Sequence, residues 1–224
     1  MLQLRDVSKR YTVGGDSIVG LERVSLELNP GDFACLRGAS GSGKTTLLLT
    51  AGGMQRPTTG SVDVAETENI YALGEADRAR IRAQHIGFIF QLFHLVPYLN
   101  VFDNIKLGAQ DRPDLNDEVE ASIAKLRLQH RHNHKPAQLS VGECQRVAVG
   151  RALLSEPKVI LADEPTGNLD EENANIVTTA LQEFCRDGGV VLLATHSDRE
   201  LESVNRMFNM RDGALVERQD APLS

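Results

Sequence analysis

The chain has 224 residues, 41% of them hydrophobic and 25% charged, which is ordinary for a soluble globular protein and enough for one compact α/β domain with a lobe. A net charge of −7 argues against a broad nucleic-acid-binding face, and no apolar run approaches the roughly 18 residues of a membrane-spanning helix. The three cysteines, Cys35, Cys144 and Cys185, form no C-x-x-C pair and follow no signal-like segment, so reduced thiols in a cytoplasmic protein are expected.

Residues 2–7 and 24–28 have the β-branched, alternating character of strands and predict a small antiparallel sheet beside the main core. Tyr11 is expected in the loop between them. Asn29-Pro30-Gly31 is a turn into a short buried strand over residues 32–37. Next comes Gly38-Ala39-Ser40-Gly41-Ser42-Gly43-Lys44-Thr45-Thr46, and residues 47–51 then open a buried helix. Two glycines bracketing four residues, then Lys and Thr, between a strand and a helix, make a phosphate-binding loop. The glycines let backbone N–H groups converge on phosphate oxygens, and the helix points its positive end at the same place. Lys44 is placed to reach the β- and γ-phosphates, and the Thr45 hydroxyl suits Mg²⁺.

Residues 57–60 form a turn and 61–64 a strand. Residues 75–84 predict a charged helix whose Arg78, Arg80 and Arg82 form a solvated face. Residues 86–90 read as a buried strand with Gln91 at its carboxyl end. From residue 92 to about 150 strand signals disappear, which predicts an inserted helical lobe. Ser140 and Glu143 form a capping box ahead of a helical run over 147–155. A capped helix start with Gly142 beside it is also a phosphate site, and the two readings are compatible. Residues 159–161 and 190–194 are continuous apolar runs, as in parallel strands covered on both faces. The first of them ends in Asp163 and Glu164, placed to hold a Mg²⁺ shell and to polarise a water, respectively. Pro165 then stops the strand.

Taken in this order, the motifs resemble the ATP-binding subunit of an ABC transporter from Tyr11 to His196. The resemblance implies a P-loop NTPase (RecA-like) α/β core with an antiparallel β-subdomain and an inserted α-helical subdomain. It implies one domain over 1–224: core in 1–91 and 151–217, helical subdomain in 92–150, tail in 218–224. Tyr11 is then the aromatic that stacks on adenine and Gly38 to Thr46 the Walker A loop. Gln91 is the Q-loop glutamine, which with Thr45 and Asp163 holds Mg²⁺, partly through water. The signature over 139–145 adds Ser140, Gly142 and Glu143 to the nucleotide-binding set, and the D-loop over 167–170 adds Asp170. Glu164, His196 and Lys44 are the catalytic groups. The segment over 90–97, the Gly-Asn-Leu-Asp loop and His130-Arg131…His134-Lys135-Pro136 are similar to the lipoprotein-release, macrolide-export and cell-division branch.

That resemblance implies ATP and Mg²⁺ as cofactors, a second copy as head-to-tail partner and a separate integral membrane permease on the cytoplasmic face of the cell membrane, with no nucleic acid. An ATP-gated scaffold that moves no cargo is the alternative. Gln91, Phe93, Leu95 and Tyr98 are a partner surface or part of the helical-lobe core. The alternating His130, His132 and His134 read as a polar approach to the signature helix rather than a metal site. Val141 departs from the usual signature Gly; as first helical residue it keeps a negative φ and its N–H, so turnover is at stake more than ATP binding. Cys144 also departs and reads as a passive packing residue.

Overall fold

The computed structural model describes residues 1–109, 112, 114–196 and 204–217. The chain starts as a long hairpin of β1 (Leu2–Val13) and β2 (Asp16–Leu28), turning at Gly14-Gly15 with both φ positive. The two short strands expected from alternation are therefore only the base of this hairpin, and Tyr11 lies on β1, paired with Ile18, not in a loop. Register shifts between Leu4 and Arg10 interrupt the period-2 pattern, and beyond them β2 is exposed, so alternation fades. The Gly-Gly pair was the legible hairpin signal.

After β3 (Phe33–Arg37) and α1 (Lys44–Ala51), β4 (Thr59–Val64) adds to the free edge of β1 and completes a three-stranded antiparallel sheet. Helix α2 (Glu75–His85) leads into β5 (Ile86–Ile89). Its arginines are not simply solvated: Arg78 and Arg82 donate to the Gly53 carbonyl just past α1, while Arg80 pairs with Asp77. Helices α3 (Val101–Lys106), α4 (Asn116–Lys125) and α5 (Val141–Leu154) follow. Helix α5 begins six residues earlier than residue 147, because the Ser140 cap is its true start, and Gly142 to Gly150 are all buried. A helix covered all round has no polar stripe to betray its beginning. Then come β6 (Val159–Asp163), α6 (Glu171–Arg186), β7 (Val190–Ala194), β8 (Arg206–Arg211) and β9 (Ala214–Glu217).

The larger sheet has the order β5-β6-β7-β3-β8-β9, parallel except for the last pair. It separates two cores by strict alternation. Phe33, Cys35, Ile160, Ala162, Val191 and Leu193 face α3 to α6. Ala34, Leu36, Val159, Leu161, Val190 and Leu192 face α1 and the antiparallel sheet. Cover on both faces explains why β6 and β7 are uninterrupted apolar runs.

Candidate nucleotide site

Four neighbouring strands deliver their carboxyl ends to one edge of the larger sheet. Strand β3 runs into Gly38, β5 towards Gln91, β6 into Asp163 and Glu164, and β7 into Thr195 and His196. Ligands of open α/β sheets bind beyond that edge. Here it holds a cavity of about 660 Å³ lined by Tyr11, residues 18–20, 38–41 and 43–46, Gln91, Asp163, Glu164 and His196. Groups spread over most of the chain thus share one wall. Ile18 and Val19, both exposed, had no sequence signal beyond their place opposite Tyr11 in the hairpin.

The glycine loop closes on itself. Lys44 turns back across it and donates to the carbonyls of Gly38 at 2.7 Å and Ala39 at 3.0 Å. Gly43 caps α1 at φ 108, and a Cβ there would collide with the Gly20 carbonyl, so glycine is required on two counts. No side chain caps α1, which leaves its first-turn N–H groups for an anion. Tyr11 is anchored at the rim: its hydroxyl lies 3.2 Å from Thr46 Oγ1 and accepts from Gln55 Nε2 at 2.6 Å.

Thr45 Oγ1 donates to Asp163 Oδ2 at 2.8 Å, which sets a hydroxyl and a carboxylate oxygen side by side with the Gln91 amide on the same cavity. Such an all-oxygen donor set fits Mg²⁺. Burial raises the Asp163 carboxyl above its usual range; the Thr45 hydrogen bond opposes that, and the neighbouring Glu164 charge adds to it. A divalent cation would relieve this crowding of carboxylates.

Glu164 has φ 49, an uncommon conformation for a side chain of this size and disfavoured again by the following Pro165. The surroundings hold it there at a cost on the order of 1 kcal/mol. Its N–H donates to the Ala194 carbonyl at 2.8 Å, Oε1 accepts from His196 Nδ1 at 2.7 Å, and Oε2 lies 3.5 Å from Thr195 Oγ1. The Glu164 side chain is 12% exposed and that of His196 72%, so the carboxylate is sheltered while the imidazole faces the open cavity.

The signature residues lie elsewhere. Ser140, Gly142, Glu143 and Asp170 do not line this cavity. The capping box is present: Ser140 Oγ accepts from the Glu143 N–H at 3.2 Å and Glu143 Oε2 from the Ser140 N–H at 2.8 Å. Glu143 Oε1 is also held by Arg131 Nε at 2.8 Å and lies 3.3 Å from His130 Nε2. In the single chain the Glu143 N–H and carboxylate thus serve the cap, Arg131 and His130. Gly142 packs on the Asn173 side chain, which a Cβ would strike, and Asn173 Nδ2 is bonded to both Asp170 carboxylate oxygens. The starts of α5 and α6 are thereby tied together, a link that only the structure reveals.

Burial by itself would raise the Glu143 carboxyl. The Ser140 N–H, then Arg131 and His130, outweigh it and hold it down from 4.5 to about 2. A depressed carboxyl stabilises the fold above its unfolded value and loses that contribution as pH falls through the folded one. Urea unfolding of the parent and E143Q is expected to differ by on the order of 1–2 kcal/mol near pH 7, after screening by solvent, and by clearly less near pH 3. A difference undiminished near pH 3 would contradict the assignment.

His130 therefore belongs to Glu143, His132 pairs with Glu120 at 2.8 Å and His134 with Arg131 at 3.4 Å. Among the described residues no cluster suits a metal without a ligand's help. Cys144 is buried, and burial raises its thiol pKa, which suits packing rather than redox chemistry. Val141 is half exposed at the first position of α5.

A family profile described as ABC transporter matches residues 21–167. The chain belongs to the ABC transporter family. Over 223 residues it is 43% identical to the lipoprotein-releasing system ATP-binding protein LolD 1 of Rhodopirellula baltica, covering 97% of each chain. It is 39% identical over 222 residues to the macrolide export ATP-binding/permease protein MacB of Chlorobium luteolum, and spans 33% of that longer protein. The dimeric structure of a post-hydrolysis state of the ATP-binding cassette MJ0796, bound to ADP and Pi, matches it at a TM-score of 0.92 and 32% identity over 100% of both chains. The fold is thus the P-loop NTPase fold expected from the motifs, and the cassette binds nucleotide and hydrolyses ATP. Among the described residues no helix is long and apolar enough to cross a membrane.

Proposed function

We propose that two copies of this cassette close head to tail on ATP and drive a separate membrane permease, which exports or extracts from the membrane a lipophilic substrate, a lipoprotein or a drug. The observation that carries this reading is the divided site. Lys44, Thr45, Asp163, Glu164 and His196 share one cavity, while Ser140 and Gly142 sit at a helix start outside it. The first-turn N–H groups of α5 that the Ser140 cap does not engage lie outside their own chain's cavity and are suited to a partner's γ-phosphate.

In this reading adenine packs on Tyr11 and the phosphates lie in the loop from Gly38 to Thr46. Thr45, Asp163 and Gln91 would hold Mg²⁺, partly through water, and the ion would neutralise charge on the β- and γ-phosphate oxygens. Glu164 takes a proton from the water that attacks γ-phosphorus as the bond to ADP breaks. His196 binds the γ-phosphate, Lys44 offsets its developing charge, and Asp170 joins the nucleotide set of the closed dimer. Residues 1–91 and 151–217 form the nucleotide-binding core and 92–150 the helical subdomain. The cassette is held at the cytoplasmic face of the membrane by its permease.

The test is reconstitution with the membrane protein that co-purifies with the chain. ATP-dependent movement of a lipid-modified protein or amphipathic drug between compartments is expected. Nucleotide-dependent activation of the partner with nothing moved would favour a signalling scaffold and sink the transport reading.

A further inference from the structure

The segment that follows Gln91 is irregular: residues 91–95 form no helix or strand. Among the described residues no turn, cap or loop hydrogen bond between backbone atoms involves any of them, and His94 has φ 47. A stretch carrying a cavity-lining side chain therefore needs its position set from outside. On its far side Asn104, fully buried on α3, bonds the backbone of Val96 in both directions, at 2.8 and 3.1 Å. On its near side the hold comes from Arg151. The guanidinium donates through Nη1 to the His94 carbonyl at 2.7 Å and through Nη2 to the Phe93 carbonyl at 2.9 Å.

Arg151 is an unusual anchor. Its guanidinium hydrogen bonds among the described residues go to backbone carbonyls, and burial lowers its pKa. A sheltered cation that faces only neutral carbonyls is costly and adds little net stability, so its use is better sought in geometry than in folding energy. Its backbone is itself pinned, because Gly108 lies so close that a Cβ would strike the Arg151 carbonyl. Arg151 stands eleven residues beyond Ser140, about three helical turns and about 16 Å, so the two occupy the same stripe of α5. One rigid helix thus carries the anion-ready start at one end and a two-pronged grip on the Gln91 segment at the other.

We propose that Arg151 is a positioning residue, which locks the segment after Gln91 to the signature helix so that Gln91 enters the nucleotide site in step with Ser140 of the same chain. The proposal rests on the role given to Gln91 above. The guanidinium reaches the two carbonyls from two separate nitrogens held in one plane, which fixes their mutual orientation; a lysine ammonium, one nitrogen on a flexible stem, holds the same acceptors in a looser geometry.

The test is a double-mutant cycle on the full chain, with steady-state ATP hydrolysis, nucleotide affinity and thermal melting measured for R151A, R151K, Q91A and both double variants. Both arginine variants are expected to lose roughly 10-fold in kcat with KM and nucleotide affinity within about 2-fold of the parent, and R151K to melt at the parental temperature. Each double variant should be no slower than Q91A within about 2-fold. If R151A fails to fold, R151K carries the cycle. Multiplied losses in the doubles, or parental kcat in R151K, would overturn the role of Arg151 while leaving Gln91 in place. Parental kcat in Q91A would remove Gln91 from the site and the proposal with it.

Discussion

Glu164→Gln is expected to lower ATP hydrolysis roughly 10³-fold, the middle of the range for loss of a general base. Gln keeps the size of the side chain, and its carbonyl oxygen can still accept from His196 Nδ1, now 2.7 Å from Glu164 Oε1. What disappears is the carboxylate proposed above to accept the proton from water. The left-handed backbone at residue 164 is held by the Ala194 carbonyl and is common to parent and variant, so folding should be little affected. MgATP binding survives, because Lys44 and Thr45 are untouched. The variant should therefore elute as a dimer in ATP and as a monomer without it. Phosphate release and size-exclusion chromatography read both effects; hydrolysis within about 10-fold of the parent would remove Glu164 from its role.

Lys44→Ala is expected to weaken nucleotide binding by at least about 10²-fold, the scale for truncating one member of a sheltered charged pair. Its ammonium already sits across the loop on the carbonyls of Gly38 and Ala39, so it is presented to incoming phosphates without a large search. Removing it leaves a cavity whose remaining lining charges are Asp163 and Glu164 beside a His196 that is cationic only when protonated. A polyphosphate should be repelled by such a site. Calorimetric titration with MgATP reads the loss directly, and affinity within a few fold of the parent would count against the loop assignment. The two variants separate binding from chemistry: K44A fails before ATP is held, E164Q after.

The least legible features were those without a local pattern. The hairpin was foreshortened to its two ends because its polar, exposed outer half does not alternate. Arg78 and Arg82 looked like solvent-facing charges, since nothing near them in sequence names the Gly53 carbonyl they bind. Arg151 follows a run of small and apolar residues in α5, and its two acceptors lie more than fifty positions away. Glu143 shows the opposite case, where the capping box is evident but its further partners are not. Only the packing of His130 and Arg131 against the same carboxylate reveals that Glu143 is held by more than its cap.

The sequence by itself determined the chemistry of each segment. A glycine turn between an apolar run and a helix, an apolar run ending in two carboxylates and a capped helix start are specified by neighbours within a few residues, through backbone sterics and short-range hydrogen bonds. The tertiary structure alone decided which segments meet. The order β5-β6-β7-β3 brings Gln91, Asp163, Glu164, His196 and the Lys44 loop to one edge, and places Ser140 on a helix that opens elsewhere. That order is set by burying alternate residues of each strand in two separate cores, a condition on the whole chain that no short stretch carries.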